Sequence, residues 1–205
     1  MKRIICFAIA ALTIVSCAQE PKEYVSFSGQ ILNQNSDSLI IRSKSDRDFK
    51  KRIGVSEDGS FSDTLKIVNG AYYVFDGSEN TSLYLKNGDD IRLTLDTKEF
   101  DETVVYTGNG ADVNNYLAQK ALSQEAIFED KESFLFSKEE YAVTSETIES
   151  DFMKALGNLK GMDTAFVAAE NKDFAGFKNY LESYQEQQFF LSTVLAKGEV
   201  SPKFI

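Results

Sequence analysis

The 205-residue sequence has no histidine, no tryptophan, two cysteines and two prolines. Without histidine there is no Ser-His or Cys-His nucleophile pair, and the commonest transition-metal ligand is missing. Acidic residues outnumber basic ones by 32 to 22, a net charge of −10. Such a surface repels phosphates, so no nucleic-acid partner is expected. A phosphate-cradling loop is also lacking: Gly108-Asn109-Gly110-Ala111 has no Lys-Ser/Thr pair after it. The acidic clusters do not follow calcium-loop spacing. The carboxylate pairs Glu57-Asp58, Asp89-Asp90 and Asp101-Glu102 fall in turns or strand ends, where carboxylates are ordinarily solvated. The sequence singles out no catalytic, cofactor-binding or metal-binding residue. Apolar residues make up 42% of the chain and charged residues 26%, a globular composition.

The N-terminus carries the first positive signal. Lys2 and Arg3 precede an apolar run from Ile4 to Val15, which reads as an export signal over residues 1–16. Ile14-Val15-Ser16-Cys17 resembles the bacterial lipobox, which implies cleavage before Cys17 and its acylation. Several acyl chains, at about 0.8 kcal/mol per buried methylene, would hold the chain on a membrane surface. Processing would remove Cys6 and leave 20 basic against 32 acidic residues. With Cys17 occupied by lipid, no thiol chemistry would remain. Ala18, rather than Asp, follows the cysteine, which points to the outer membrane, facing the periplasm.

Beyond a polar tether over residues 17–23, the pattern has period two. Eight short runs (24–31, 38–42, 51–56, 60–67, 71–75, 81–85, 91–95 and 103–106) alternate apolar and polar residues. They are punctuated by Asp58-Gly59, Asn69-Gly70, Asp76-Gly77 and Asn87-Gly88. These dipeptides accept the positive φ of tight hairpins, so an antiparallel sandwich or barrel over residues 24–108 is expected. Phe61, Tyr72, Tyr73, Phe75 and Tyr84 would fill its interior. The alternative is an aromatic β face that binds a glycan or another small ligand.

From Asn109 to Gly198 the period becomes helical. Asn109–Asp112 can cap a helix carrying Val113, Tyr116, Leu117, Ala121 and Phe128. Ser137-Lys138-Glu139-Glu140 is a capping box flanked by Phe136 and Tyr141. A third helix is expected from near Asp173, through Phe174, Phe177, Leu181 and Tyr184, to a Gly198 cap. The fold class is therefore α+β: a β domain followed by three or four amphipathic helices. Ser38, Thr64 and Thr164 each follow an aspartate and precede Leu or Ala. That pattern resembles the O-glycosylation motif of exported Bacteroidetes proteins, which makes them candidate modification sites.

The layout resembles the N-terminal region of Bacteroidetes TlpA-type thiol-disulfide lipoproteins. The resemblance rests on four stretches: residues 55–61, Asn69 to Asp76, Leu83 to Ile91, and Tyr106 to Ala111 followed by Asn114-Asn115-Tyr116-Leu117. It implies a periplasmic thioredoxin-like domain, opened by a Pro-x-Phe segment, that performs disulfide reduction. Ser201-Pro202-Lys203-Phe204-Ile205 matches that opening, so residues 199–205 read as the stump of a missing domain. The family's Cys-x-x-Cys, its tryptophan and its cis-proline loop have no counterpart here. The resemblance therefore implies a non-catalytic module: a spacer, a docking surface for a protein partner, or a homodimerisation region.

Overall fold

Eight stretches of alternating burial become eight strands. The structure, a computed structural model, describes residues 22–197. Strands β1 (Val25–Leu32), β2 (Ser38–Ser43), β3 (Lys50–Gly54), β4 (Ser60–Leu65), β5 (Gly70–Phe75), β6 (Asn80–Leu85), β7 (Asp90–Asp96) and β8 (Val105–Asn109) form two four-stranded sheets. Their orders are β4-β1-β7-β8 and β3-β2-β5-β6. The inward faces meet in one core, where Phe27, Ile41, Leu83, Ile91, Leu93 and Tyr106 are less than 2% exposed. Fully burying each such side chain stabilises the fold by about 1.5–3 kcal/mol. Gly29 stands in the middle of β1 because a Cβ there would lie 2.0 Å from the Leu93 carbonyl oxygen and 2.6 Å from the Phe61 ring.

The strand count matches the sequence pattern, but the connections differ from what the turns suggest. Of the four turn dipeptides, only Asp76-Gly77 closes a ladder between its flanking strands, β5 and β6. The other three carry the chain from one sheet to the other. One pairing departs from the antiparallel expectation: β1 runs parallel to β7, with Phe27 beside Ile91. A tight turn fixes a reversal of direction; it does not fix the sheet in which the next strand pairs. The eighth run is also shifted: Phe100–Thr103 forms a one-turn helix, α1, before β8 begins.

Three longer helices follow: α2 (Ala111–Glu129), α3 (Lys138–Gly157) and α4 (Thr164–Ala196), with a 3₁₀ turn at Ser133–Leu135. The capping box forms as read. Ser137 accepts the Glu140 N–H, and the Glu140 carboxylate accepts the Ser137 N–H at 2.9 Å. Helix α4 starts nine residues earlier than expected, with the Asp163 carboxylate accepting the Phe166 N–H at 2.7 Å. Its first turns bury Phe166 and the charged Glu170, which interrupts the apolar stripe that the periodicity follows from Phe174. Gly198, Cys6, Cys17, the signal, most of the tether and residues 199–205 lie outside the described residues.

Phe134, Tyr141 and Leu181 form a small core of their own between the 3₁₀ turn, α3 and α4. The Tyr141 hydroxyl is buried there with no hydrogen-bond partner among the described residues. A buried hydroxyl without a partner costs free energy. Tyr141→Phe is expected to raise the unfolding free energy by about 1 kcal/mol, measured as a higher urea midpoint. A lower midpoint would mean that the hydroxyl is bonded in solution.

Candidate functional site

Strands β6 and β8 end their respective sheets, so each presents an edge. Open edges invite pairing with other chains. Two neighbouring asparagines near the start of α2 each bond one residue of these edges. The Asn114 Oδ1 accepts the Tyr84 N–H at 2.7 Å, and its Nδ2 donates to the Tyr84 carbonyl at 3.0 Å and the Gly110 carbonyl at 2.8 Å. Asn115 does the same to Tyr106 on β8, accepting its N–H and donating to its carbonyl, both at 2.8 Å. Each amide thus bonds one residue as a neighbouring strand would. Adjacent helical residues point about 100° apart, so one helix turn reaches both sheets. Gly110 lets the helix start here: its φ is 95°, and a Cβ would meet the Asp89 carboxylate at 2.9 Å.

Beside this clamp, the helices cover one end of the outer face of β5 and β6. Tyr84 turns outward from β6 into a cluster with Val113, Tyr116, Leu117, Leu156 and Phe166. Its ring meets that of Phe166 edge-on at 4.7 Å, and its hydroxyl donates to the Asp163 carboxylate at 2.8 Å. Burial, then that carboxylate, pushes the Tyr84 pKa up to about 12. Next along α4, the buried Glu170 accepts from the Tyr116 hydroxyl at 2.9 Å and from Lys120 at 2.7 Å. Lys120 also reaches Asp173 at 3.0 Å. Burial followed by Glu170 raises the Tyr116 hydroxyl too, so neither phenol ionises near neutral pH. Removing either partner of this pair would leave an uncompensated buried charge.

Between α2, α3 and α4 runs a cleft of about 340 Å³ lined by Ile127, Ile148, Phe152, Phe174 and Phe177, with Lys120 and Asp151 also on its walls. Phe152 and Phe174 stack at 4.1 Å. The site therefore consists of a double edge clamp, a buried charge cluster and an apolar cleft. Of its charged groups, Lys120 bonds Glu170 and Asp173, and Asp163 and Glu170 also accept from the Tyr84 and Tyr116 hydroxyls.

No family model matches the chain, and no curated protein matches it. Two solved structures are similar in part. One is a DUF3823-family protein from Parabacteroides merdae, at 14% identity and TM-score 0.27, covering 42% of this chain and 47% of that one. The other, from Bacteroides ovatus, is described as a cell-adhesion candidate; it shows 8% identity and TM-score 0.27 over 43% of each chain. This chain spans less than half of either. The architecture above rests on the strand ladders themselves.

The residues singled out from sequence are scattered. The Asp58 carboxylate accepts the Ser60 N–H at 2.9 Å and the Ser60 hydroxyl at 2.6 Å, bonds that lower its pKa and close the β3–β4 turn. Asp89 is buried, accepts the Lys86 N–H at 2.8 Å, and is pushed up by burial. Asp101 sits on α1 and is likewise raised by burial, then by Glu102. Among the described residues no group of His, Cys, Asp and Glu could hold a metal ion, and no helix is long and apolar enough to cross a membrane. Thr64 and Thr164 are exposed on β4 and at the start of α4, whereas Ser38 is 7% exposed. Phe61 and Tyr72 lie in the sandwich core and Tyr84 under the helices. Only Tyr73 and Phe75 of the five aromatics keep access to the outer face. Lys120 and Glu170 escaped the sequence reading, which met Asn114 and Asn115 only within the family resemblance and Asp163 only as the aspartate before Thr164. Two asparagines of low helix propensity in a helix's first turn were the available signal.

Proposed function

We propose that the chain is a non-catalytic, lipid-anchored module of the cell envelope, of the kind that precedes the thioredoxin-like domain in TlpA-type lipoproteins. It holds that domain, or a protein partner, at a set distance from the membrane. The observation that carries this reading is the double asparagine clamp. It joins a helical unit to both sheet edges and turns two small elements into one rigid spacer. The lipobox at Cys17 supplies the anchor and Ala18 the outer-membrane address. Thr64 and Thr164 are the accessible candidates for O-glycosylation, and α3 and α4 are the candidate dimerisation surface. The test is expression of the full chain in a lipoprotein-exporting bacterium fed an alkyne-tagged fatty acid. The chain is expected to carry the tag and to sediment with membranes, and Cys17→Ala is expected to lose both. An untagged, soluble chain overturns the anchor. Turnover in an insulin-reduction assay overturns the non-catalytic reading.

A further inference from the structure

We infer that the outer face of the β3-β2-β5-β6 sheet binds an acidic polysaccharide through a basic-aromatic platform. The face is a grid fixed by strand register. One row runs Lys50, Arg42, Tyr73, Ser82, and the next runs Arg52, Ile40, Phe75, Asn80. Lys44 follows on the same face: its N–H bonds the Ala71 carbonyl at 2.9 Å, its ammonium lies 4.5 Å from the Tyr73 ring centre, and it donates to the Ser82 hydroxyl at 3.0 Å. Among the described residues, Arg42, Lys44 and Lys50 have no carboxylate partner; Arg52 pairs with Asp37 at 2.7 Å. Asp46 and Asp48 stand in the β2–β3 loop and Glu79 in the β5–β6 hairpin, so both rows are free of acid. A concentration of unpaired cations is unexpected on a chain of net charge −10. Lys44 also feels Glu170 and Asp173 of α4, whereas Arg42 and Lys50 meet no acid in their row and are left to complement an external anion.

The aromatic pair narrows the class. Tyr73, 38% exposed, and Phe75 are two residues apart on one strand face, about 7 Å along the strand. Between them and Arg42 and Asn80 lies a shallow depression of about 430 Å³. Lys44 comes from the row on the other side of Tyr73 and leaves this side open. A pyranose ring offers C–H groups to an aromatic face and hydroxyls to Asn80. Its carboxylate or sulfate would take the planar fork of Arg42. Nucleic acid would demand a denser field of cations than an acidic protein supplies.

The test is calorimetric titration of the full chain with polygalacturonate oligosaccharides, with neutral dextran, single-stranded DNA and anionic lipid vesicles as comparison probes. Polygalacturonate is expected to bind, more weakly as salt rises, and dextran is not. Tyr73→Ala and Arg42→Glu should each weaken binding at least tenfold while the thermal melt stays put. Lys50→Glu, on the exposed end strand, is the second charge variant and should weaken it severalfold. No binding overturns the inference, as does binding indifferent to Tyr73→Ala, or tighter binding of DNA or vesicles than of polygalacturonate. The lipid anchor plays no part in this outcome.

Discussion

Asn114→Ala is expected to destabilise the protein by about 2–4 kcal/mol, since it strands the buried N–H and carbonyl of Tyr84 at about 1–3 kcal/mol each, partly offset by relaxation. Asn114 is fully buried, so water cannot replace the amide without opening the joint between α2 and β6. Against a typical total stability of 5–15 kcal/mol, this is a large share. In a chain of this size it should lower the melting temperature by roughly 10 °C. Asn114→Asp separates the two halves of the clamp. The carboxylate still accepts the Tyr84 N–H, but it cannot donate to the carbonyls and buries a charge, so its loss should match or exceed that of alanine. Asn115→Ala should cost less, because its bonds to Tyr106 are only part-buried. Circular-dichroism melts rank the three variants, and amide exchange locates the effect. Tyr84 and its β6 neighbours should lose protection in Asn114→Ala while β1 and β7 keep theirs. A melt within 2 °C of the parent would show that the clamp does not join the two units.

The sandwich was legible because strand burial has a period of two, and residues such as Val25, Phe27 and Ile31 state it plainly. The capping box at Ser137 was legible because its partners are three residues apart. Which sheet receives each strand was not. Asn87-Gly88 reads as a hairpin, yet it delivers β7 to the far sheet, parallel to β1, because burial of its apolar face (Ile91, Leu93, Leu95) in the shared core governs pairing and the turn does not. The start of α4 was hidden for a related reason: Glu170 breaks the apolar stripe, and it is tolerated because Lys120 and Tyr116 from another helix meet it. Those partners are 50 and 54 residues away, beyond any local pattern. The clamp itself was quoted as residues, but the bonding of Asn114 and Asn115 to two different sheets depends on their meeting in space. The basic grid was invisible for the same reason. Arg42 and Lys50 become neighbours only through register.

The protein should unfold cooperatively between pH 10 and 12, and its tyrosines set that limit. In Tyr72, Tyr84, Tyr106, Tyr116 and Tyr141 burial is the leading cause of a raised pKa, with neighbouring carboxylates adding to it at Tyr84 and Tyr116. For a group whose folded pKa lies above its unfolded value, the stabilising contribution is complete below the unfolded value. It is lost as pH rises through the folded one. Tyr84 moves from 10.0 to about 12, so its stabilising contribution is lost across that window. The other four act in the same direction, so the alkaline losses accumulate against a total stability of typically about 5–15 kcal/mol. Tyrosinate absorbance at about 295 nm should therefore climb together with the loss of far-ultraviolet dichroism. A smooth titration near pH 10 with the dichroism intact would show that these phenols are open to water. Tyr84→Phe isolates one member. It removes the bond to Asp163, so it should be less stable at pH 7 by about 1 kcal/mol. It should also show a shallower loss above pH 10, because one fewer proton is released on unfolding. The parent and variant curves should therefore converge as pH rises. That convergence distinguishes a titrating buried phenol from one that merely packs.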